Sequence, residues 1–130
     1  MKANVINASF SLGKLNEIVH FKAIKARHGQ TSSVIYIFEN TAYVSDCDDL
    51  SIVKIKELQN LKYLILDCLK FKKHASHFNL EESLYVHHCL NPKKTILTNL
   101  HYDLDYDVLL RKLPKNVLPA YDGLSLNLQD

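Results

Sequence analysis

Two short apolar runs, residues 62–66 and 95–98, limit this chain more than any other feature of it. Each is nearly continuous in large apolar residues. That is the pattern of a strand buried on both faces, not of one with a wet side. A helix signature stands between them. Asn79 can cap, Glu82 three residues on can return the hydrogen bond, and the spacing predicts a helix to about Leu90, ended by Asn91-Pro92. Strand, helix and strand in that order imply a βαβ unit with parallel strands. The rhythm extends to both sides. Residues 51–59 place Ile52, Ile55 and Leu58 on one helical face, and Asp105 can cap a helix running to Leu113, where Pro114 stops it.

The first third reads differently. Residues 19–26 alternate, with Val19, Phe21 and Ala23 set against His20 and Lys22. Residues 34–38 and 41–45 follow as strands, joined by a hairpin turn at Glu39-Asn40. Asp122-Gly123 is a turn before a last alternating stretch, residues 124–128. Three antiparallel strands followed by βαβαβ units predict a layered α/β (α+β) domain with a mixed sheet. The chain reads as a single domain over residues 1–130, with 1–17 expected to be loosely ordered. No internal repeat or low-complexity segment is visible.

Composition excludes several classes. Hydrophobic residues make up 47% and charged residues 23%, as in a soluble globular protein. A net charge of +2 is too small to argue for nucleic acid. No stretch approaches the roughly 20 apolar residues of a membrane span, and the first fifteen residues lack the apolar core of a signal peptide. Cys47, Cys68 and Cys89 are odd in number and widely spaced. They suggest reduced thiols in a cytoplasmic protein, not a disulfide framework or a zinc knuckle.

In an open α/β sheet, ligands collect beyond the carboxyl ends of the strands. Four polar groups fall there: His28, beside Gly29, then Asp46, Asp67 and His101. Imidazoles and carboxylates suit zinc, manganese or iron, and an aspartate can bridge two metals. The spacing alone is a weak signal, and turn-capping aspartates and solvated histidines are the alternative. Lys70, Lys72 and Lys73 around Phe71 could meet phosphate or simply be solvated. Tyr85, Tyr102 and Tyr106 suit packing, and Cys47 suits a buried thiol. Asp67, Asp103 and Asp105 suit caps or a hydrogen bond that orients a ligand histidine.

Three strings carry a resemblance. His77-Phe78-Asn79-Leu80-Glu81-Glu82-Ser83-Leu84 resembles a segment of metallo-β-lactamase-fold phosphodiesterases. So do residues 97–106, Leu-Thr-Asn-Leu-His-Tyr-Asp-Leu-Asp-Tyr, and the closing Ala120-Tyr121-Asp122-Gly123-Leu124. The similar subgroup is the one that contains the phosphoribosyl cyclic phosphate phosphodiesterases. Tyr43-Val44-Ser45-Asp46 resembles that family's Y-x-T/S-D strand, and His28-Gly29 its ligand HG. The matches keep the family's order over residues 19–128.

The resemblance implies the C-terminal half of a metallo-β-lactamase αββα sandwich, a mixed sheet with helices on one face. It assigns His28 to one metal, Asp46 to the bridge between two, and His101 as a further ligand. His77 becomes the catalytic group near the scissile phosphate, placed to protonate the leaving oxygen. His74 is either a second phosphate-facing group or a solvated neighbour. Where many members read T-H-x-x-H-D, this chain has Asn99 and Tyr102 in place of the histidines. The family's strongest signature, H-x-H-x-D-H, is absent from the sequence.

The expected function is therefore that of a truncated metal-dependent hydrolase, ancestrally cleaving a small phosphodiester, and inactive alone. Zinc or manganese belongs to the complete site, and this chain by itself need hold none. A non-catalytic half-domain or assembly subunit, completed by a separate N-terminal chain, is the alternative. A nucleic-acid-processing member of the fold is disfavoured by the charge. The apolar sheet face left by a missing half predicts a homodimer or a complementary partner.

Overall fold

The computed structural model describes residues 8–128, where seven strands form one sheet in chain order. They are β1 (Ser9–Leu12), β2 (Val19–His28), β3 (Thr31–Phe38), β4 (Thr41–Val44), β5 (Tyr63–Asp67), β6 (Lys94–Thr98) and β7 (Val117–Pro119). Strands β1 to β4 are antiparallel and β4 to β7 are parallel. The switch occurs where the connections lengthen from two residues to helical crossovers, as chain geometry requires.

Local chemistry explains the turns. Glu39 and Asn40 both have left-handed φ, +47° and +56°, which matches a two-residue hairpin to the twist of β3 and β4. The β2–β3 turn is built on Gly29 at φ +60°, closing the His28–Thr31 pair. Helix α1 (Leu80–Leu90) starts with the expected capping box, Asn79 with Glu82, and ends at Asn91 in the left-handed region. Helix α2 (Tyr106–Lys112) is capped by Asp105.

Three expectations need correction. Residues 51–59 form two 3₁₀ turns, Leu50–Lys54 and Lys56–Leu58, separated by an extended Ile55. Ile52, Val53 and Ile55 are β-branched, which disfavours one continuous helix. The last strand among the described residues is Val117–Pro119, and residues 124–128 are not assigned to a strand. Periodicity missed β7 because it has three residues and ends in a proline that cannot donate. Within the segment expected to be loose, Ser9–Leu12 pairs with β2, while residues 1–7 lie outside the described residues.

Register sorts the side chains into two faces. Ala42, Leu64 and Thr95 are cross-strand partners, as are Val44, Leu66 and Leu97, and all six are fully buried. Right-handed crossovers put the 3₁₀ turns, α1 and α2 on this face, where α1 packs on β5 and α2 on β7. Phe78, Val86 and Leu109 complete the core. The opposite face carries Tyr36, Tyr43, Ile65 and Ile96 in register, and beside them an aromatic stripe. In that stripe Phe10 stacks on Phe21 at 4.9 Å, and Phe21 meets Phe38 at 4.8 Å.

One histidine sits inside the helical layer. His87 of α1 is 3% exposed, with Nδ1 2.8 Å from Thr95 Oγ1. Burial first, and then the charge of His88, pushes its pKa below the ordinary value. The folded state therefore binds fewer protons than the unfolded chain just below neutrality. Stability should fall as pH drops through about 6.5, the unfolded histidine value. Denaturant unfolding at pH 7.5 and 5.5 should show the loss, and His87→Gln should flatten much of it. An unchanged pH dependence in the variant would assign the effect elsewhere.

Candidate metal centre

The carboxyl ends of β2, β4, β5 and β6 converge at one rim. His28 is the last residue of β2, Asp46 lies two beyond β4, Asp67 ends β5, and Asn99 follows β6. His77 reaches the same rim from the segment before α1. That segment is anchored on both sides: Phe78 N donates to Cys47 O at 2.8 Å, and Leu69 N to Phe78 O at 2.9 Å.

His28, Asp46 and His77 form a group. One nitrogen from each ring and one carboxylate oxygen all lie within 4.8 Å of one another. The two rings meet edge-on, centroids 4.8 Å apart. Asp46 holds its place with φ +53°, a left-handed conformation uncommon outside glycine, asparagine and aspartate. Its backbone carbonyl accepts from Ser33 Oγ at 2.8 Å, which helps to fix that bend.

Hydrogen bonding assigns the ring protons. A carbonyl only accepts, so the 2.8 Å-class contact of His28 Nδ1 with Ser76 O (2.7 Å) requires Nδ1–H. His77 Nδ1 likewise donates to Asp67 Oδ2 at 2.8 Å. Both rings thus keep the Nε2 lone pair, the form a metal ligand needs. Asp67 is fully buried, and its Oδ2 also accepts Cys47 N at 2.9 Å. Its Oδ1 accepts Asn99 Nδ2 at 3.1 Å.

The donor set fits a divalent ion such as zinc. Ligand atoms about 2.1 Å from one tetrahedral ion lie roughly 3.4 Å apart, inside the observed spread. The neighbouring thiols do not join it. Burial pushes Cys47 up to about 11 and Cys68 up to about 12, away from the thiolate that binds metal.

His101 is not one of the three residues of this group. It follows Asn99, which has φ +60°, and its Nδ1 pairs with Asp103 Oδ1 at 2.8 Å. The rim position that follows β6 directly is Asn99. Its amide nitrogen faces Ser45 Oγ (3.2 Å), Asp46 Oδ1 (3.3 Å) and Asp67 Oδ1. The sequence marked Asn99 only as a missing histidine, and no local signal revealed that it ties two carboxylates. Ser76 was also missed, because its contribution is a backbone carbonyl. Asp67 bonds His77, the expected catalytic group, and Asp103 bonds His101, an expected ligand.

The Asp67–His77 bond predicts a measurable loss. Asp67→Asn should weaken zinc binding by roughly 10- to 100-fold, the usual effect of removing the group that orients a ligand histidine. Calorimetric zinc titration of chelator-treated protein reads this directly. Equal affinity in both proteins would remove Asp67 from the site.

Comparisons with known proteins agree with this fold. No family model matches the sequence. A diphosphatase of the PhnP family is 30% identical with a TM-score of 0.78, covering 90% of this chain and 46% of that one. The metallo-β-lactamase fold protein YhfI of Bacillus subtilis is 18% identical with a TM-score of 0.65, covering 88% and 51%. Human tRNase Z, short form, is 15% identical with a TM-score of 0.63, covering 95% and 47%. Among curated proteins, an octanoyltransferase of Porphyromonas gingivalis is 24% identical over 103 residues, 78% of this chain and 21% of that protein. The chain thus spans about half of these solved structures and about a fifth of that curated relative. Its seven-stranded mixed sheet and helical layer are one half of a metallo-β-lactamase fold.

Proposed function

We propose that this chain is the C-terminal half of a metal-dependent phosphodiester hydrolase and turns over little or no substrate by itself. The observation that supports this is the His28–Asp46–His77 group at the strand-end rim. It supplies three donors, whereas a complete two-metal site of this type shares about seven, and a catalytic zinc usually takes about three of its own.

A zinc or manganese ion bound there would supply an activated hydroxide and offset charge on the phosphoryl oxygens. His28 and Asp46 are the residues that would hold it, His28 with its ring set by Ser76. His101 was assigned as a further ligand by resemblance, and we leave it out of this minimal site because it is not in the group that His28, Asp46 and His77 form. In the complete enzyme, where other residues would supply the remaining metal ligands, His77 is the candidate acid instead of a ligand. With Nδ1–H held by Asp67, its protonated ring can pass the Nε2 proton to the leaving oxygen, and the Asp67 charge steadies the imidazolium. The aspartate and histidines of an H-x-H-x-D-H string would have to come from elsewhere.

Elemental analysis of protein purified without chelator, together with hydrolysis of a chromogenic phosphodiester in added manganese or zinc, tests this reading. We expect less than one tightly held ion and negligible turnover. Two ions per chain and metal-dependent turnover abolished by Asp46→Ala would make this half a complete enzyme.

A second observation favours assembly. The sheet face away from the helices exposes Val34 (39%) and Tyr43 (38%) beside half-buried Tyr36, Phe38, Tyr63 and Ile65. Apolar patches of a few hundred Å² usually have a partner. We propose that this face packs against a second copy in the isolated chain, standing in for the complementary half. Light scattering at micromolar concentration should give a dimer, and Tyr43→Lys should give monomers. A stable wild-type monomer would refute the pairing.

A further inference from the structure

The side-chain amide of Asn99 stands among three oxygens at the rim. Its Nδ2 lies 3.1 Å from Asp67 Oδ1, 3.2 Å from Ser45 Oγ and 3.3 Å from Asp46 Oδ1. Two of the three belong to carboxylates, which only accept, so the amide must turn its NH2 end and not its carbonyl towards them. It has two hydrogens for three oxygens. Bonds to charged acceptors are the stronger ones, and Ser45 can turn its hydroxyl to suit, so the two carboxylates take the hydrogens. His77 Nδ1, bonded to Asp67, also lies 3.8 Å from the same Asp46 oxygen. Asp46 Oδ1 therefore faces donors. Oxygens alone, two of them anionic, would otherwise suit a hard cation such as manganese or magnesium. Such an ion bonds oxygen at about 2.1 Å, and hydrogens aimed at the same lone pairs keep it out.

We propose that the Asn99 amide takes the place of a second cation, so that Asp46 serves one ion only, through Oδ2, as a terminal ligand and not as a bridge. This rests on the metal reading of the His28–Asp46–His77 group and adds to it a count and a geometry. Asp46 Oδ1 stays on Asn99 whether or not an ion is bound, which fixes the carboxylate before the ion arrives. The amide satisfies both carboxylates without bringing a charge of its own. A second ion in a completed enzyme would have to be held without Asp46.

The test uses the purified chain, chelator-treated, with zinc and manganese as probes. Zinc at saturation should reach one ion per chain by native mass spectrometry. Manganese titrated into that zinc-loaded protein should remain free by electron paramagnetic resonance. The Asn99 side-chain amide protons should stay protected from exchange when zinc is added, as read by proton–nitrogen correlation. Asn99→Asp keeps the shape and replaces the donor by an acceptor, so the zinc-loaded variant should take up one manganese ion per chain. A second ion in the wild type, or release of the Asn99 amide on zinc binding, would overturn the proposal and leave the metal reading intact. A folded Asn99→Asp protein that takes no second ion would overturn it too. If that variant does not fold, the ion count and amide protection of the wild type decide. A wild type that binds no zinc, beside an Asn99→Asp variant that binds one manganese ion, would sink the metal reading and leave the role of Asn99 standing. No ion in either protein would sink both.

Discussion

The rim depends on one buried carboxylate. Asp67 ends the central strand β5 with no solvent contact, so its oxygens must find donors or the fold carries a large desolvation cost. They find three: Cys47 N from beyond β4, His77 from the segment before α1, and Asn99 from beyond β6. Each bond also places a group that chemistry can use. Cys47 N fixes the bend that carries Asp46, His77 gets its tautomer, and Asn99 is steered so that its amide also reaches Asp46. Burying one acceptor thereby organises the ends of three strands, and removing it would unsettle all of them together.

Ser76 is the complementary device, built from backbone instead of a side chain. It sits against the tip of the β2–β3 hairpin. A Cβ added at Gly29 would lie 3.0 Å from Ser76 Cβ, so the close approach and the positive φ both favour glycine there. That approach brings His28 to the Ser76 carbonyl. A backbone carbonyl thus sets the tautomer of His28, as the Asp67 carboxylate sets that of His77.

The sheet itself is asymmetric in what it buries. The helical face is sealed, with Leu64, Leu66, Leu97 and Val44 fully buried. The other face, with its Phe10–Phe21–Phe38 stripe and half-exposed tyrosines, is apolar without a comparable cover. A sandwich of two such layers would bury both inner faces, which accords with a chain that matches only about half the length of its structural neighbours. The metal group lies at the rim of that same sheet, where a second layer could bring further ligands.

The layout of this fold was legible in the sequence because it follows from local rules. Continuous apolar runs at residues 62–66 and 95–98, the Asn79–Glu82 capping box and the Asn91-Pro92 stop define parallel strands and a crossover helix without reference to distant residues. His28, Asp46, Asp67 and His77 could be marked as candidates since they follow strands or lie in a recognisable motif. Which of them meet was another matter. His77 joins His28 and Asp46 in one group, whereas His101 Nδ1 pairs locally with Asp103. Asn99 as a tie between carboxylates and Ser76 as the setter of the His28 tautomer belong to the tertiary structure alone. Periodicity and propensity act over a few residues, whereas these contacts join positions 32 to 54 residues apart and exist only once the strand ends are brought to one rim.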